Sequence, residues 1–428
     1  MDTFIRDEKF PAFSAMVKPA GPLCNLACTY CFYNEKNHTI YDQKNKPSVM
    51  DRPTAEVFIR QYIDSQQSSE ITFAFQGGEP TLAGLDYFIR FTEYADTHLP
   101  PGKKATWTIQ TNGTLINEDW CRFFKKRSFL VGLSLDGNSA VHDFYRKDKS
   151  GCGTHAQVMK TMRLFREYDI AYNTLTVISD QTAGHPEEVY EFLVAQGAKF
   201  LQFIPAIERV DSSPGSSPGS SPGSSPGSSP GLAGPPDLSK SGPVLPNMPW
   251  TVHPEKFGEF YCKIFDLWVT RDVGAIFVQF FDACLGMRMG YPSPICVHSP
   301  VCGNAVIVES NGDVYACDHF AYPDFFLGNI HHQPITELVN SKAQLIWGRQ
   351  KYSALPRGCR ECAYLSLCYG GCPKHRFCND TYGQPGMNYL CEGYKMFHAH
   401  SESKFHEMEG YLRQGKPASL VMKKKCRK

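Results

Sequence analysis

Thirteen of the seventeen cysteines in this 428-residue chain crowd into two dense groups, and any fold must gather each group. Three stand in Cys24-Asn-Leu-Ala-Cys28-Thr-Tyr-Cys31, and ten lie between residues 273 and 395. A secreted disulfide scaffold is short and carries an export signal. The opening MDTFIRDEKF has no apolar h-region, so a cytoplasmic location is expected. In a reducing compartment dense cysteine means metal thiolate more often than cystine. The open question is which metal.

Lys plus Arg is 44 and Asp plus Glu is 43, a net charge of +1. Association driven by overall charge is therefore not expected, neither with nucleic acid nor with an anionic membrane. No apolar run approaches the roughly 18 residues that span a bilayer. At about 150 residues per domain the length predicts two or three domains.

From residue 10 to about 207, β-rich runs alternate with amphipathic stretches. Strands are expected at 13–18, 71–76, 106–111, 129–136, 172–178 and 200–205. Helices are expected at 54–63, 86–98, 117–126, 154–168 and 186–196. This is an α/β pattern: a parallel sheet with right-handed crossovers, open or curled into a partial barrel. Chemistry in such folds collects at the carboxyl ends of strands, where the polar motifs fall. Residues 212–231 are five copies of Ser-Ser-Pro-Gly, which cannot bury apolar surface. The division expected is 1–210 for the sheet domain, 211–247 for a flexible insertion, 248–395 for a loop-rich, Cys-rich domain and 396–428 for a C-terminal helix and basic tail. The third part, a helix at 253–272 aside, is expected to have little regular core and to need metal for its shape.

Three thiolates in the tight C-x₃-C-x₂-C loop can bind three irons of a cubane, leaving the fourth for a non-protein ligand. A zinc site completed by His38 is the competing reading of the same residues. With Tyr30 before the last cysteine and a strand before the loop, the sequence resembles the radical S-adenosylmethionine (SAM) enzymes. The resemblance implies a partial (β/α)6 TIM-like barrel and a 4Fe–4S cluster on Cys24, Cys28 and Cys31. It also implies SAM chelated to the open iron and cleaved to a hydrogen-abstracting 5′-deoxyadenosyl radical. Gly77-Gly78-Glu79-Pro80 looks like that family's SAM-binding motif, with glycines for close backbone approach and Glu79 for the SAM ammonium. Tyr30, Ser134, Arg146 and Ile207 match further SAM-binding positions, Arg146 for the carboxylate and Ile207 as an apolar contact to adenine.

The later cysteines run Cys296-x₅-Cys302-x₁₄-Cys317, then Cys359-x₂-Cys362-x₅-Cys368-x₃-Cys372, then Cys391. Eight thiolates make two four-cysteine centres, and two Cys₄ zinc ribbons have the same composition. The order closely resembles the SPASM domain of peptide-modifying radical SAM enzymes. It implies auxiliary 4Fe–4S cluster I on Cys296, Cys302, Cys317 and Cys372, and cluster II on Cys359, Cys362, Cys368 and Cys391. With the SAM cluster that makes three. Cys121, Cys152, Cys262, Cys284, Cys378 and Cys426 remain as packing or surface thiols.

Over nearly the whole chain, the sequence is similar to anaerobic sulfatase-maturating enzymes. That family implies oxidation of a Cys or Ser of a nascent or unfolded sulfatase polypeptide to Cα-formylglycine, with flavodoxin or ferredoxin as electron donor. It also implies an acidic proton acceptor beside the third ligand of auxiliary cluster I, here Asp318 after Cys317. Burial and an anionic cluster are expected to raise Asp318 above the ordinary carboxylate value of about 3.9. Gln76 and His142 lie at nearby strand ends, Gln76 as a substrate contact and His142 for packing. Alternatives are another SPASM enzyme forming thioether or carbon–carbon crosslinks, and a non-catalytic zinc or electron-transfer protein.

Overall fold

The computed structural model describes residues 12–41, 46, 48–210, 232–240 and 245–425. The Ser-Ser-Pro-Gly array and Cys426 lie outside the described residues. Ten strands are numbered along the chain: β1 Ser14–Val17, β2 Glu70–Phe75, β3 Lys104–Thr111, β4 Leu130–Ser134, β5 Ala171–Ile178, β6 Phe200–Pro205, β7 Phe277–Val278, β8 Ala305–Val308, β9 Asp313–Tyr315 and β10 Phe326–Asn329. The six expected strands are all present within a few residues of their expected ends. The fold is the α/β fold with a parallel sheet that the sequence implied.

The chain forms two compact units, each made of separated segments: 1–134, 145–172 and 302–350 in one, 135–144, 173–301 and 351–428 in the other. These units do not follow the linear division expected from composition. The reason is β8, which pairs in parallel with β1 from Ser14↔Ala305 to Val17↔Val308. Residues early in the Cys-rich stretch therefore belong to the first unit's sheet.

In that unit β1, β2, β3 and β4 pair in parallel in chain order, with β8 on the other side of β1 and β9 antiparallel to β8. Helix Arg52–Ser65 starts on Asp51, whose side chain accepts from Thr54 N at 2.9 Å. It buries Phe58, Ile59, Tyr62 and Ile63. Helix Leu85–His98 adds Phe88 and Phe91, and Phe73 stacks on Trp107 at 5.0 Å. Each such ring contributes on the order of 1.5–3 kcal/mol when buried. The parallel register sends the ends of β1, β2, β3, β4 and β8 the same way, toward Lys18, Gln76, Asn112, Leu135 and Glu309.

The second unit has β6 between β5 and β7, all parallel. The expectation of little regular core between residues 273 and 395 is corrected here by helix Gln279–Arg288, which joins two helices that the sequence did predict. Helices Pro254–Arg271, Gln279–Arg288 and Cys391–Arg413 meet in an aromatic core. Phe257 lies 5.0 Å from Tyr394, Phe280 4.9 Å from Phe397 and Phe265 5.0 Å from Phe405. A Cβ on Gly393 would come within 2.3 Å of Pro254 O, so only glycine permits this helix crossing. The ends of the expected insertion are also fixed. Val210 bridges Leu232, Arg209 bridges Asn247, and Met248 N donates to Glu208 O at 2.9 Å.

Candidate functional site

Loop 24–31 follows β1 and is held by backbone pairing. Ala27 N donates to Lys147 O at 2.8 Å and Thr29 N to Tyr145 O at 3.3 Å. That pairing brings Arg146, itself buried, over the Tyr30 ring at 5.4 Å. Leu26 N and Asn112 Nδ2 both donate to Cys24 Sγ, at 3.4 and 3.8 Å. Burial pushes the Cys24 thiol up to about 11, and the neighbouring Glu79 and Cys31 add to the rise. Cys31 is raised too, mainly by burial, with Arg146 pulling down and Asp318 pushing up. Crowded soft thiols next to one another fit an iron–sulfur centre, whose binding would release their protons.

Residues 77–79 lie directly against this loop. Gly78 N donates to Gly21 O and Glu79 N to Leu23 O, both at 2.8 Å. A Cβ on Gly78 would stand 2.1 Å from Leu23 O. The close approach its glycine allows is therefore to the cysteine loop's own backbone. Glu79 is fully buried and accepts from Thr81 N, Thr81 Oγ1, Thr111 Oγ1 and Asn112 N at 2.6–3.1 Å. Only the Asn112 bond goes to Oε2, which keeps a lone pair for a further donor. Burial raises Glu79 above its ordinary range, although these four bonds pull the other way.

Asp318 opens a short 3-10 turn, Asp318–Phe320, right after Cys317. Its Oδ1 accepts from Lys18 Nζ at 2.5 Å, and the Lys18 side chain is 0% exposed against 21% for Asp318. Lys18 also reaches Gln76 Oε1 at 3.5 Å and lies 4.4 Å from the Tyr33 ring centroid. The expected upward shift of Asp318 is corrected. Burial does raise it, but Lys18, then His319 and Lys36, outweigh burial and hold the carboxyl below its ordinary range. Behind the pair, Glu309 is buried and hydrogen-bonds to Tyr33 and Tyr41. Lys18, Tyr33 and Glu309 were not found from sequence; a lysine ending an apolar strand was the available signal.

Other expected residues are placed as follows. Ser134 ends β4, half-buried, and Cys302 N donates to Gly348 O at 3.0 Å. In the second unit Ile207 is buried after β6, and His142 is buried with Nδ1 accepting from Asp136 N at 3.3 Å, a packing role. Cys296 and Cys372 also belong to that unit.

Cys359, Cys362, Cys368 and Cys391 come together there. Cys359 and Cys362 both act on Cys368, and Cys368 and Cys359 both act on Cys391, as like charges do at close range. Burial pushes Cys368 up to about 11 and Cys391 up to about 12. Four thiols gathered in one unit and acting on one another fit a four-cysteine centre. Among the described residues no three His, Cys, Asp or Glu side chains converge as single-ion ligands.

The family described as the radical SAM superfamily matches residues 19–193, and an iron–sulfur cluster-binding domain matches residues 296–363. A serine-type anaerobic sulfatase-maturating enzyme of Bacteroides thetaiotaomicron is 37% identical over 408 residues, covering 95% of this chain and 94% of that protein. A cysteine-type enzyme of Clostridium novyi is 31% identical over 400 residues, covering 92% and 96%. The solved structure described as native anSMEcpe with bound AdoMet and Cp18Cys peptide is similar with a TM-score of 0.78 at 29% identity, covering 94% of this chain and 100% of that one. Among the described residues no helix is long and apolar enough to cross a membrane.

Proposed function

The chain belongs to the anaerobic sulfatase-maturating enzymes of the radical SAM superfamily, and from that premise we propose that it oxidises one Cys or Ser of a sulfatase polypeptide to Cα-formylglycine. The proposed cofactors are SAM and three 4Fe–4S clusters on the cysteine sets named above. Cys24, Cys28 and Cys31 would hold the cluster to which SAM binds, and together these groups would supply the carbon radical needed to remove one hydrogen atom from the substrate Cβ. Asp318 would receive the O–H or S–H proton, and a cluster on the later cysteines would be the acceptor for the remaining electron. One hydrogen atom, one proton and one electron together make the two-electron oxidation to C=O or C=S. Water converts the C=S product of a Cys substrate to the aldehyde and releases hydrogen sulfide.

The observation that carries this reading is the Lys18–Asp318 pair, close enough to loop 24–31 for Asp318 to perturb Cys31. Lys18 keeps Asp318 ionised and so ready to accept a proton, and the partly open side of Asp318 is where a substrate would present one. Gln76 and Arg146 would orient substrate and SAM carboxylate, and Tyr30, Gly77, Gly78, Glu79, Ser134 and Ile207 would complete the SAM site. A cytoplasmic location and a flavodoxin or ferredoxin donor belong to the same proposal. Anaerobic incubation with SAM, dithionite and paired Ser and Cys sulfatase-motif peptides tests it by mass spectrometry. The expected product is the aldehyde from at least one peptide. A thioether or carbon–carbon crosslink, or no peptide product beside intact SAM cleavage, would overturn it.

A further inference from the structure

Helix Lys342–Ser353 takes no part in the chemistry above, yet one face of it is bonded to the segments that carry two of the proposed ligands. Its first turn is capped by Ser341, whose Oγ accepts from Gln344 N at 3.3 Å and whose carbonyl accepts from Leu345 N at 3.0 Å. Gln344, Trp347 and Gly348 are three and four residues apart and so share a face. Gln344 is 1% exposed, and its Nε2 donates to Gly303 O at 2.9 Å and to Ala316 O at 3.1 Å. Gly303 follows Cys302 and Ala316 precedes Cys317. One amide thus ties the residue after one thiol to the residue before another. On the same face Gly348 O accepts from Cys302 N at 3.0 Å, and Trp347 lies 4.9 Å from Phe320, the last residue of the turn that Asp318 opens.

Strand pairing does not supply this link. β8 and β9 pair at Ile307↔Tyr315 and Val308↔Val314, and that register stops short of Cys302 and Cys317. Past Ile307 and Tyr315 the two chain ends are joined through the Gln344 amide. Gly303 and Ala316 are both buried, so removing the donor leaves two buried acceptors each short of a bond.

We propose that Gln344 is a positioning residue for auxiliary cluster I: its amide sets the separation of Cys302 and Cys317, two of the four cysteines assigned to that cluster, and through Cys317 it fixes the backbone on which Asp318 stands. The inference rests on the cluster assignment in the proposed function. Groups that orient ligands without touching the metal typically govern metal affinity by about 10- to 100-fold. A neutral amide suits the task, because it offers two N–H groups to two carbonyls and brings no charge into the core.

The test uses anaerobically reconstituted full-length protein as wild type, Gln344→Met and Ile335→Val. Met has nearly the length of Gln but no N–H to give. Ile335 is buried in the neighbouring helix Ile335–Val339, and its side chain bonds to neither carbonyl, so loss of one methyl there reports general loosening of the fold. Iron and sulfide are assayed during challenge with a chelator, EPR spectra are recorded after dithionite reduction, and 5′-deoxyadenosine is quantified. Gln344→Met is expected to lose about four of its twelve irons at a chelator concentration about 10- to 100-fold below that needed for wild type. The EPR signal of one auxiliary centre should go with them, while 5′-deoxyadenosine formation is retained. Ile335→Val should keep wild-type resistance to the chelator while its melting temperature falls. Wild-type iron retention and an unchanged EPR spectrum in Gln344→Met overturn the inference. So does equal loss of iron in Ile335→Val, or loss from all centres alike in Gln344→Met, since either marks general loosening rather than ligand positioning. A wild-type protein with about eight irons would instead refute the assignment of cluster I, before any variant is compared.

Discussion

Loop 24–31 and the Cys359, Cys362, Cys368 and Cys391 set are faced by different charged groups. Around Cys24 and Cys31 they are Glu79, Arg146 and Asp318, the last paired with Lys18. Around the second set they are Lys351, Arg376 and Lys395 with Asp380 and Glu392. A buried carboxylate such as Glu79 suits a site for a cationic ligand, and SAM carries a sulfonium and an ammonium. Several cations suit an anionic centre. The scaffolds differ as well: backbone bonds to residues 77–79 and 145–147 fix the first, whereas the second lies in the unit with the aromatic helical core.

The largest effect should separate the two settings outright. Replacing Cys24, Cys28 and Cys31 together by Ala should remove about four of twelve irons and abolish 5′-deoxyadenosine formation, leaving the other centres. If the triple variant still cleaves SAM, the loop is not the site of that reaction and the comparison collapses.

Next in size, Asp318→Asn should retain iron and SAM cleavage while formylglycine falls about 10²- to 10⁴-fold, the usual cost of losing a general base. An Asp that only caps a turn would lose little, since Asn caps nearly as well. Mass spectrometry of peptide alongside quantified 5′-deoxyadenosine distinguishes these, and near-normal aldehyde yield would remove Asp318 from the mechanism.

Lys18→Met should produce a smaller and pH-dependent change. Asp318 works as carboxylate, so activity is present above its pKa and is lost as pH falls through it. Lys18 depresses that pKa. Without the cation, burial acts with less opposition and the acid limb of the rate profile should move to higher pH. A uniform loss at every pH would show that Lys18 only supports the fold.

Much of this was legible in the sequence because the signals were local. Strand runs, the thiol spacings and Gly77-Gly78-Glu79-Pro80 are each contained in a few residues. What escaped depended on distant partners. Asp318 was singled out, but the direction of its shift is decided by Lys18, 300 residues away. The pairing of β8 with β1 could not be read from either strand alone. Nor could the three-helix core of the second unit, since its aromatic residues are spread from Phe257 to Phe405 between irregular, Cys-rich stretches.

The smallest effect is expected from the Ser-Ser-Pro-Gly array, which contributes to neither setting. Its composition offers no thiol, no charge and no apolar face. The residues flanking it are already joined, because Val210 bridges Leu232 and Ala233 N donates to Arg209 O at 2.9 Å. Replacing residues 212–231 with Asn-Gly would leave a three-residue turn, Asp211-Asn-Gly, between paired residues, with glycine where such turns favour it. Closure entropy varies only logarithmically with loop length, so stability should change little and peptide oxidation should stay within about twofold. Iron content should be unchanged. Should turnover drop sharply with all clusters intact, the array would have to act on the substrate polypeptide itself, and the contrast between the two cysteine settings would no longer account for activity alone.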